Sequence, residues 1–159
     1  MARAAARGPV LPLYSVEPGY WAAADTSYRQ WLFHRASVED LADQLRAIGG
    51  QLCVRVGDAV DAFQALRKQF DEFSILSHQE TGNAWTYRRD KEVRTWCRDQ
   101  GVAFEEVMQF GVWRGKDAHR TGWAKRWDIM MAEPQTEVPH DVQFITAEGQ
   151  ALPSPEALG

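Results

Sequence analysis

With 159 residues, 45% of them hydrophobic and 25% charged, the chain has the length and make-up of one globular domain with a real apolar core. Its net charge of −4 excludes a global electrostatic pull toward DNA or an anionic membrane, and a basic stretch at 114–126 reads as a solvated face. No apolar run approaches transmembrane length, and the basic start MARAAARGPVLPLY has no apolar core of a secretion signal. Cys53 and Cys97 have no partner at metal-ligand spacing, so two free thiols in a reducing cytoplasm are expected.

The segment VLPLYSVE (10–17), bounded by Gly8-Pro9 and Pro18-Gly19, reads as a buried strand. A long helix is predicted over 26–48. Asp25 or Thr26 would cap it, apolar residues recur at Trp31, Leu32, Val38, Leu41, Leu45 and Ile48, and Gly49-Gly50 would end it. QLCVRV (51–56) is a second strand, and Asp58 is placed as the N-cap of the helix DAVDAFQALRKQF. FSILS (73–77) is a third strand. A charged helix follows from about Asn83 to Gln100 with Gly101 as its stop, and VAFEEV (102–107) is a fourth strand. Alternating strands and amphipathic helices predict an α/β, Rossmann-like fold: a mostly parallel sheet with right-handed crossovers and helices on both faces. Beyond residue 108 only GWAKRWDIMM has helical character, with Trp123, Trp127 and Met130 on one side. The domain is therefore taken as 1–131, and 132–159, rich in Pro, Gly, Gln and Glu, as a linker or tail.

The stretch SHQETGNAWTYRRDKEVRTWC (77–97) carries the chemistry worth weighing. It lies at the carboxyl end of a strand and leads into a helix N-terminus, where open α/β sheets bind ligands and where backbone N–H groups favour polar or anionic groups. His78, Glu80 and Asn83 offer hydrogen bonds, Gly82 a tight turn, and Trp85 a stacking face. The same residues also make a plain strand-to-helix turn, with Gly82 permitting it and Asn83 capping the helix. Both readings stand at this point. Elsewhere there is no GxGxxG, P-loop or GxSxG motif. His34, His78, His119 and His140 are scattered, so no metal ligand is assigned. Arg88, Arg89, Asp90, Glu92 and Arg94 read as surface charge pairs, and no catalytic residue is assigned.

The same stretch resembles a segment of the DNA photolyase/cryptochrome family, where SHEETGN-x-WTY-x-RD-x-x-V-x-x-W follows the fourth strand of the N-terminal α/β domain. GPVLPLYSVEP looks like that domain's second strand, and RQWLFHRASVEDLADQLRAIGGQLCVRVGDAV is similar to its next helix, strand and turn. QFGVWR and GWAKRWDIMM match the segment after the fifth strand, and LPSPEALG is similar to the linker into the helical flavin domain. The resemblance implies light-driven, FAD-dependent repair of pyrimidine dimers or light sensing, carried out by a helical domain that this sequence does not include. The α/β domain of the family often holds an antenna pigment. His78, Glu80, Gly82, Asn83 and Trp85 are the candidate pigment-binding residues. Folate-binding members place an Asn-Glu pair where Trp85-Thr86 stand, so a flavin or deazaflavin type is expected over folate.

In the family's strand order, 3-2-1-4-5, the central first strand has no counterpart, since MARAAARGPV resembles only the end of the helix after it. The expected chain is thus incomplete at both ends and non-catalytic alone. It would be partnered by a separately encoded or missing FAD-binding domain, without direct DNA binding or membrane contact. The alternative is a free-standing module that holds a cofactor or docks on a partner.

Overall fold

A computed structural model describes residues 1–109, 111–115 and 119–158. Two compact units are present: unit 1 comprises residues 1–72 and 138–159, and unit 2 comprises 73–137.

After a short helix α1 (Ala2–Ala5), unit 1 is built on strands β1 (Leu13–Val16) and β2 (Cys53–Val56). They pair in parallel, with Leu13 opposite Cys53 and Val16 opposite Val56. A parallel pair needs a long crossover, and helix α3 (Tyr28–Ala47) supplies it. Trp31, Val38 and Leu45 recur at seven-residue spacing, which keeps them on one stripe of α3, and these three are its buried residues. The cap expected at Asp25 or Thr26 falls at Ser27, whose Oγ accepts from the Gln30 N–H. Thr26 is already engaged: its hydroxyl reaches the carbonyls of Trp21 and Ala23, closing a one-turn helix α2 (Pro18–Trp21) that the sequence pattern did not reveal. Pro18 suits the start of that turn because its missing N–H would have no partner there. At the far end of α3, Gly49 takes φ 85° and the Gly50 N–H donates back to the Leu45 carbonyl, as the Gly-Gly pair predicts.

Tyr14, Val16, Val54 and Val56 share one face of the strand pair because side chains alternate. With Trp31 they form the core of unit 1. Helix α4 (Ala59–Arg67) begins after Asp58, but Asp58 makes no side-chain cap bond. The buried Glu17 carboxylate, at the end of β1, accepts from the Ala59 N–H at 3.1 Å instead. A negative group thus meets the positive end of α4 from a neighbouring strand.

The segment read as a tail belongs to unit 1 from Val138 onward. Val10 exchanges backbone hydrogen bonds with Gln143 and Ile145, and Leu152 and Leu158 pack on the core. The Cys53 and Gly57 N–H groups point toward β1, so those of Val54 and Val56 point to the opposite edge. There the Gln150 N–H donates to the Val54 carbonyl at 2.9 Å, and its Oε1 accepts from the Val56 N–H at 2.7 Å. An open strand edge is thereby covered. Gly149 eases this approach, since a Cβ there would lie 3.3 Å from the Val54 nitrogen.

Unit 2 repeats the plan. Strands β3 (Ser74–His78) and β4 (Ala103–Val107) pair in parallel, with helix α5 (Ala84–Gln100) between them in sequence. The predicted limits of α5 hold. Asn83 Oδ1 accepts from the N–H groups of Trp85 and Thr86 at 3.0 and 3.1 Å, and Gly101 ends the helix at φ 65°. Asn83→Ala is expected to cost about 1 kcal/mol, read as a lower denaturant midpoint for unit 2. An unchanged midpoint would show that solvent caps α5 equally well. Helix α6 (Trp123–Met131) has no buried residue; its Trp123 and Trp127 rings stack at 5.5 Å, and Trp123 Nε1 donates to the Gly111 carbonyl.

Every pairing is parallel, as expected, but the described strands form two two-stranded sheets in place of one. This agrees with the strand order the resemblance implies, in which β1 and β3 are not neighbours. Phe110 and residues 116–118, within the segment read as loop, lie outside the described residues.

Candidate functional site

The loop after β3 is where the sequence offers either a ligand site or a plain strand-to-helix turn. His78 ends β3 opposite Val107 and is exposed. Glu80 folds back so that its Oε1 accepts from the N–H groups of Thr81 and Gly82, both at 2.9 Å, while Oε2 lies 3.8 Å from Arg89. A Cβ on Gly82 would sit 3.0 Å from the Thr86 hydroxyl, so the turn closes tightly at this position. Asn83 caps α5, and the Thr86 hydroxyl donates to the Asn83 carbonyl. The loop's acceptors are therefore largely committed to its own backbone.

A cavity of about 490 Å³ opens beside this loop. Glu80, Gly82 and Asn83 line it together with Tyr87, Arg94 and Arg114; His78 and Trp85 do not. Two of its lining residues, Arg94 and Arg114, belong to a charge network that the sequence did not show. Asp90 Oδ1 meets Arg89 Nε at 2.9 Å and Asp90 Oδ2 meets Arg114 Nη2 at 3.1 Å. Arg114 Nη1 reaches Glu106 Oε1 at 3.0 Å, and the other Glu106 oxygen pairs with Arg94. Asp90 is buried at 7% exposure, so it is no surface charge, and its partners are Arg89 and a loop arginine rather than residues one turn away. Each guanidinium in the wall has a carboxylate beside it. Among the described residues the wall has no unopposed guanidinium to recruit an anion.

Unit 1 holds a different cavity, about 650 Å³, bordered by Tyr20, Trp21, Asp25, Arg29, Phe33 and His34. Its inner side is aromatic. Trp21 packs edge-on to Trp31 at 4.9 Å and tilts against His34 at 5.3 Å. Behind His34, the Tyr14 hydroxyl is hydrogen-bonded to His34 Nε2. Burial lowers the His34 pKa. Burial, with the nearby Glu17 and Tyr20, raises that of Tyr14 beyond the usual phenol range. The imidazole is therefore neutral at pH 7 and the phenol keeps its proton. The spacing Trp31-x-x-His34 was the available signal, since residues three apart share a helix face.

A depressed histidine pKa has a sign that can be tested. Because unfolded His34 binds a proton more readily than folded His34, its contribution to stability is full above its ordinary value of 6.5 and is lost as pH falls from there through the folded value. Unit 1 is expected to lose stability over that window, and His34→Gln to flatten the profile. Equal slopes in the two proteins, measured by urea titration at several pH values, would contradict this.

Cys53 and Cys97 are free and buried, and burial raises the Cys97 thiol pKa, which suits inert thiols. Among the described residues no cluster of His, Cys, Asp and Glu could hold a metal, and no helix is long and apolar enough to cross a membrane.

A family model described as DNA photolyase matches residues 1–137. Cryptochrome-1 of Drosophila melanogaster is 25% identical over 107 residues, covering 65% of this chain and 20% of the fly protein. Cryptochrome-1 of Aedes aegypti is 30% identical over 94 residues, covering 59% and 17%. The chain thus spans a fifth or less of the length of these relatives. An archaeal photolyase from Sulfolobus tokodaii, solved with two FAD molecules, superposes with a TM-score of 0.65 at 17% identity. The match covers 95% of this chain and 35% of that one, and is a likeness of fold.

Proposed function

Since the chain belongs to the DNA photolyase family, we propose that it serves as the N-terminal α/β domain of a blue-light flavoprotein, a photolyase or a cryptochrome, and is non-catalytic by itself. Dimer repair or light signalling then belongs to a helical domain that holds FAD, either in a longer form of the chain or as a separate partner. The observation that carries this reading is the family match across residues 1–137, with parallel β-α-β units in both halves of the chain. The state of the loop after β3 supports it: Glu80 and Asn83 hold the turn and the helix start, which is structural work and no arrangement for bond cleavage.

The test is repair of a thymine-dimer oligonucleotide under blue light. The 159-residue chain with added FAD is expected to give none. Repair by the chain alone would overturn the reading.

One observation favours a second reading, a free-standing module that binds a flat cofactor. The aromatic-walled cavity of unit 1 is complete within that unit. Trp21 and Phe33 offer ring faces to a flavin or deazaflavin, while Arg29 and Gln30 offer donors at its rim. In the loop after β3, Glu80, Gly82 and Asn83 remain the candidate wall for such a pigment, with His78 and Trp85 outside the cavity. An absorption spectrum of the purified chain separates the readings. A bound near-ultraviolet or blue chromophore favours the module; a colourless chain favours the domain whose chemistry lies elsewhere.

A further inference from the structure

The Tyr14–His34 pair has a property that neither packing nor pigment binding requires. Tyr14 lies behind His34, away from the cavity lining, and its phenol is bonded to an imidazole nitrogen. In the neutral tautomer that carries its proton on Nδ1, Nε2 accepts from the phenol. His34 in turn contacts Trp21, which borders the cavity and also touches Trp31 and Tyr20, with ring centroids 4.9–5.3 Å apart. Two oxidisable rings, the Trp21 indole at the cavity and the Tyr14 phenol behind it, thus flank one imidazole that contacts both.

We propose that Tyr14 and His34 form a proton-coupled redox site, entered through Trp21 from the unit 1 cavity, that yields one electron to an outer-sphere one-electron oxidant. The oxidant takes an electron from the Trp21 ring and is reduced, leaving an indole radical cation. Trp21 regains an electron from Tyr14 as the phenolic O–H bond breaks and its proton passes to His34 Nε2. The products are a neutral tyrosyl radical, an imidazolium and the reduced oxidant. A thiol or ascorbate returns the electron, and His34 returns the proton. The proton transfer is essential. A phenol that has lost an electron is a far stronger acid than imidazolium, so its proton passes to the neutral imidazole, and the positive charge then rests on His34 at the cavity border. This holds whether or not a pigment occupies the cavity, so its failure leaves the family-domain reading untouched.

The experiment is flash-quench oxidation of the full chain by photogenerated ruthenium(III) tris-bipyridine, with radicals identified by electron paramagnetic resonance and transient absorption. Wild-type protein is expected to give a tyrosyl radical. With the exposed Tyr28 and Tyr87 first replaced by phenylalanine, Tyr14→Phe, which keeps the ring contacts, should abolish it and leave a longer-lived tryptophan radical, while Tyr20→Phe should keep it. His34→Gln should slow tyrosyl formation by roughly a hundredfold, the scale of losing a positioned proton acceptor. A solvent deuterium isotope effect on the unmutated chain tests proton coupling without any substitution. A tyrosyl signal that survives Tyr14→Phe, or formation with no isotope effect, would overturn the proposal.

Discussion

Replacing Arg114 with methionine is expected to destabilise unit 2 by about 3 kcal/mol, more than any other single charge in that unit. The reason lies in what the change leaves behind. Arg114 spans two carboxylates, Asp90 on α5 and Glu106 on β4, with one terminal nitrogen for each. Their side chains are only 9% and 12% exposed. Removing the bridge takes from two desolvated carboxylates part of what offsets their burial. Arg89 still neutralises Asp90 and Arg94 still neutralises Glu106, which keeps the loss near the lower end of the range for broken buried pairs. Arg94 is 41% exposed, so Arg94→Met should cost no more than about 1 kcal/mol. Lysine should rescue Arg114 poorly, because one ammonium cannot present the two-pronged geometry of a guanidinium. Adding Asp90→Asn and Glu106→Gln to Arg114→Met should recover much of the loss, since the desolvated charges are then gone. Amide hydrogen exchange over α5 and β4 reads unit 2 separately from unit 1 and suits a chain that divides in two. If Arg114→Met and Arg94→Met behaved alike, the network would be no more than surface pairing.

Which of these features the sequence could announce follows from the range of the interactions. Helix α5 was legible to the residue because its limits are local: Asn83 and Gly101 act within a few positions of themselves. The cap of α3 was missed by one residue because the choice between Thr26 and Ser27 depends on α2, and a single turn has no periodicity to read. Asp58 has the right type and place for a cap, yet Glu17, 42 positions earlier in the chain, takes the role. The loop at 78–85 was located correctly as a strand end leading into a helix, but residue types cannot say whether Glu80 and Asn83 face a ligand or their own backbone. Arg114 sits in an aperiodic segment, 24 positions from Asp90, and nothing local marks it as the bridge. Parallel pairing was legible from the alternation of strand and helix. The division into two strand pairs was not legible: the alternation predicts one sheet, and the family's order says only that β1 and β3 are not adjacent.

The segment at 138–159 is the clearest case of long-range structure hidden by composition, and Trp31 is the residue that tests what holds it. Trp31→Ala is expected to cost unit 1 about 3–5 kcal/mol, the range for removing a large buried aromatic. The ring is 2% exposed, belongs with Val16 and Val54 to the innermost cluster, and has Leu152 and Leu158 packed against that cluster. Trp31→Phe should be much milder. It keeps an aromatic face toward Trp21 and removes an indole N–H that has no hydrogen-bond partner among the described residues. Leaving such a buried donor unsatisfied costs about 1–3 kcal/mol, which offsets part of the lost volume. Both variants remove the N–H, so the difference between them reads the aromatic volume, and equal losses would contradict the packing role of the ring. The Gln150 amide, bonded to the Val54 carbonyl, reports on the covering segment. In Trp31→Ala its hydrogen exchange should accelerate along with that of the core strands, because Leu152 loses the cluster that anchors it. If Gln150 stayed protected while the core opened, the backbone bonds along β2 would be sufficient to hold the segment. The apolar residues around Leu152 would then be passengers on an edge strand.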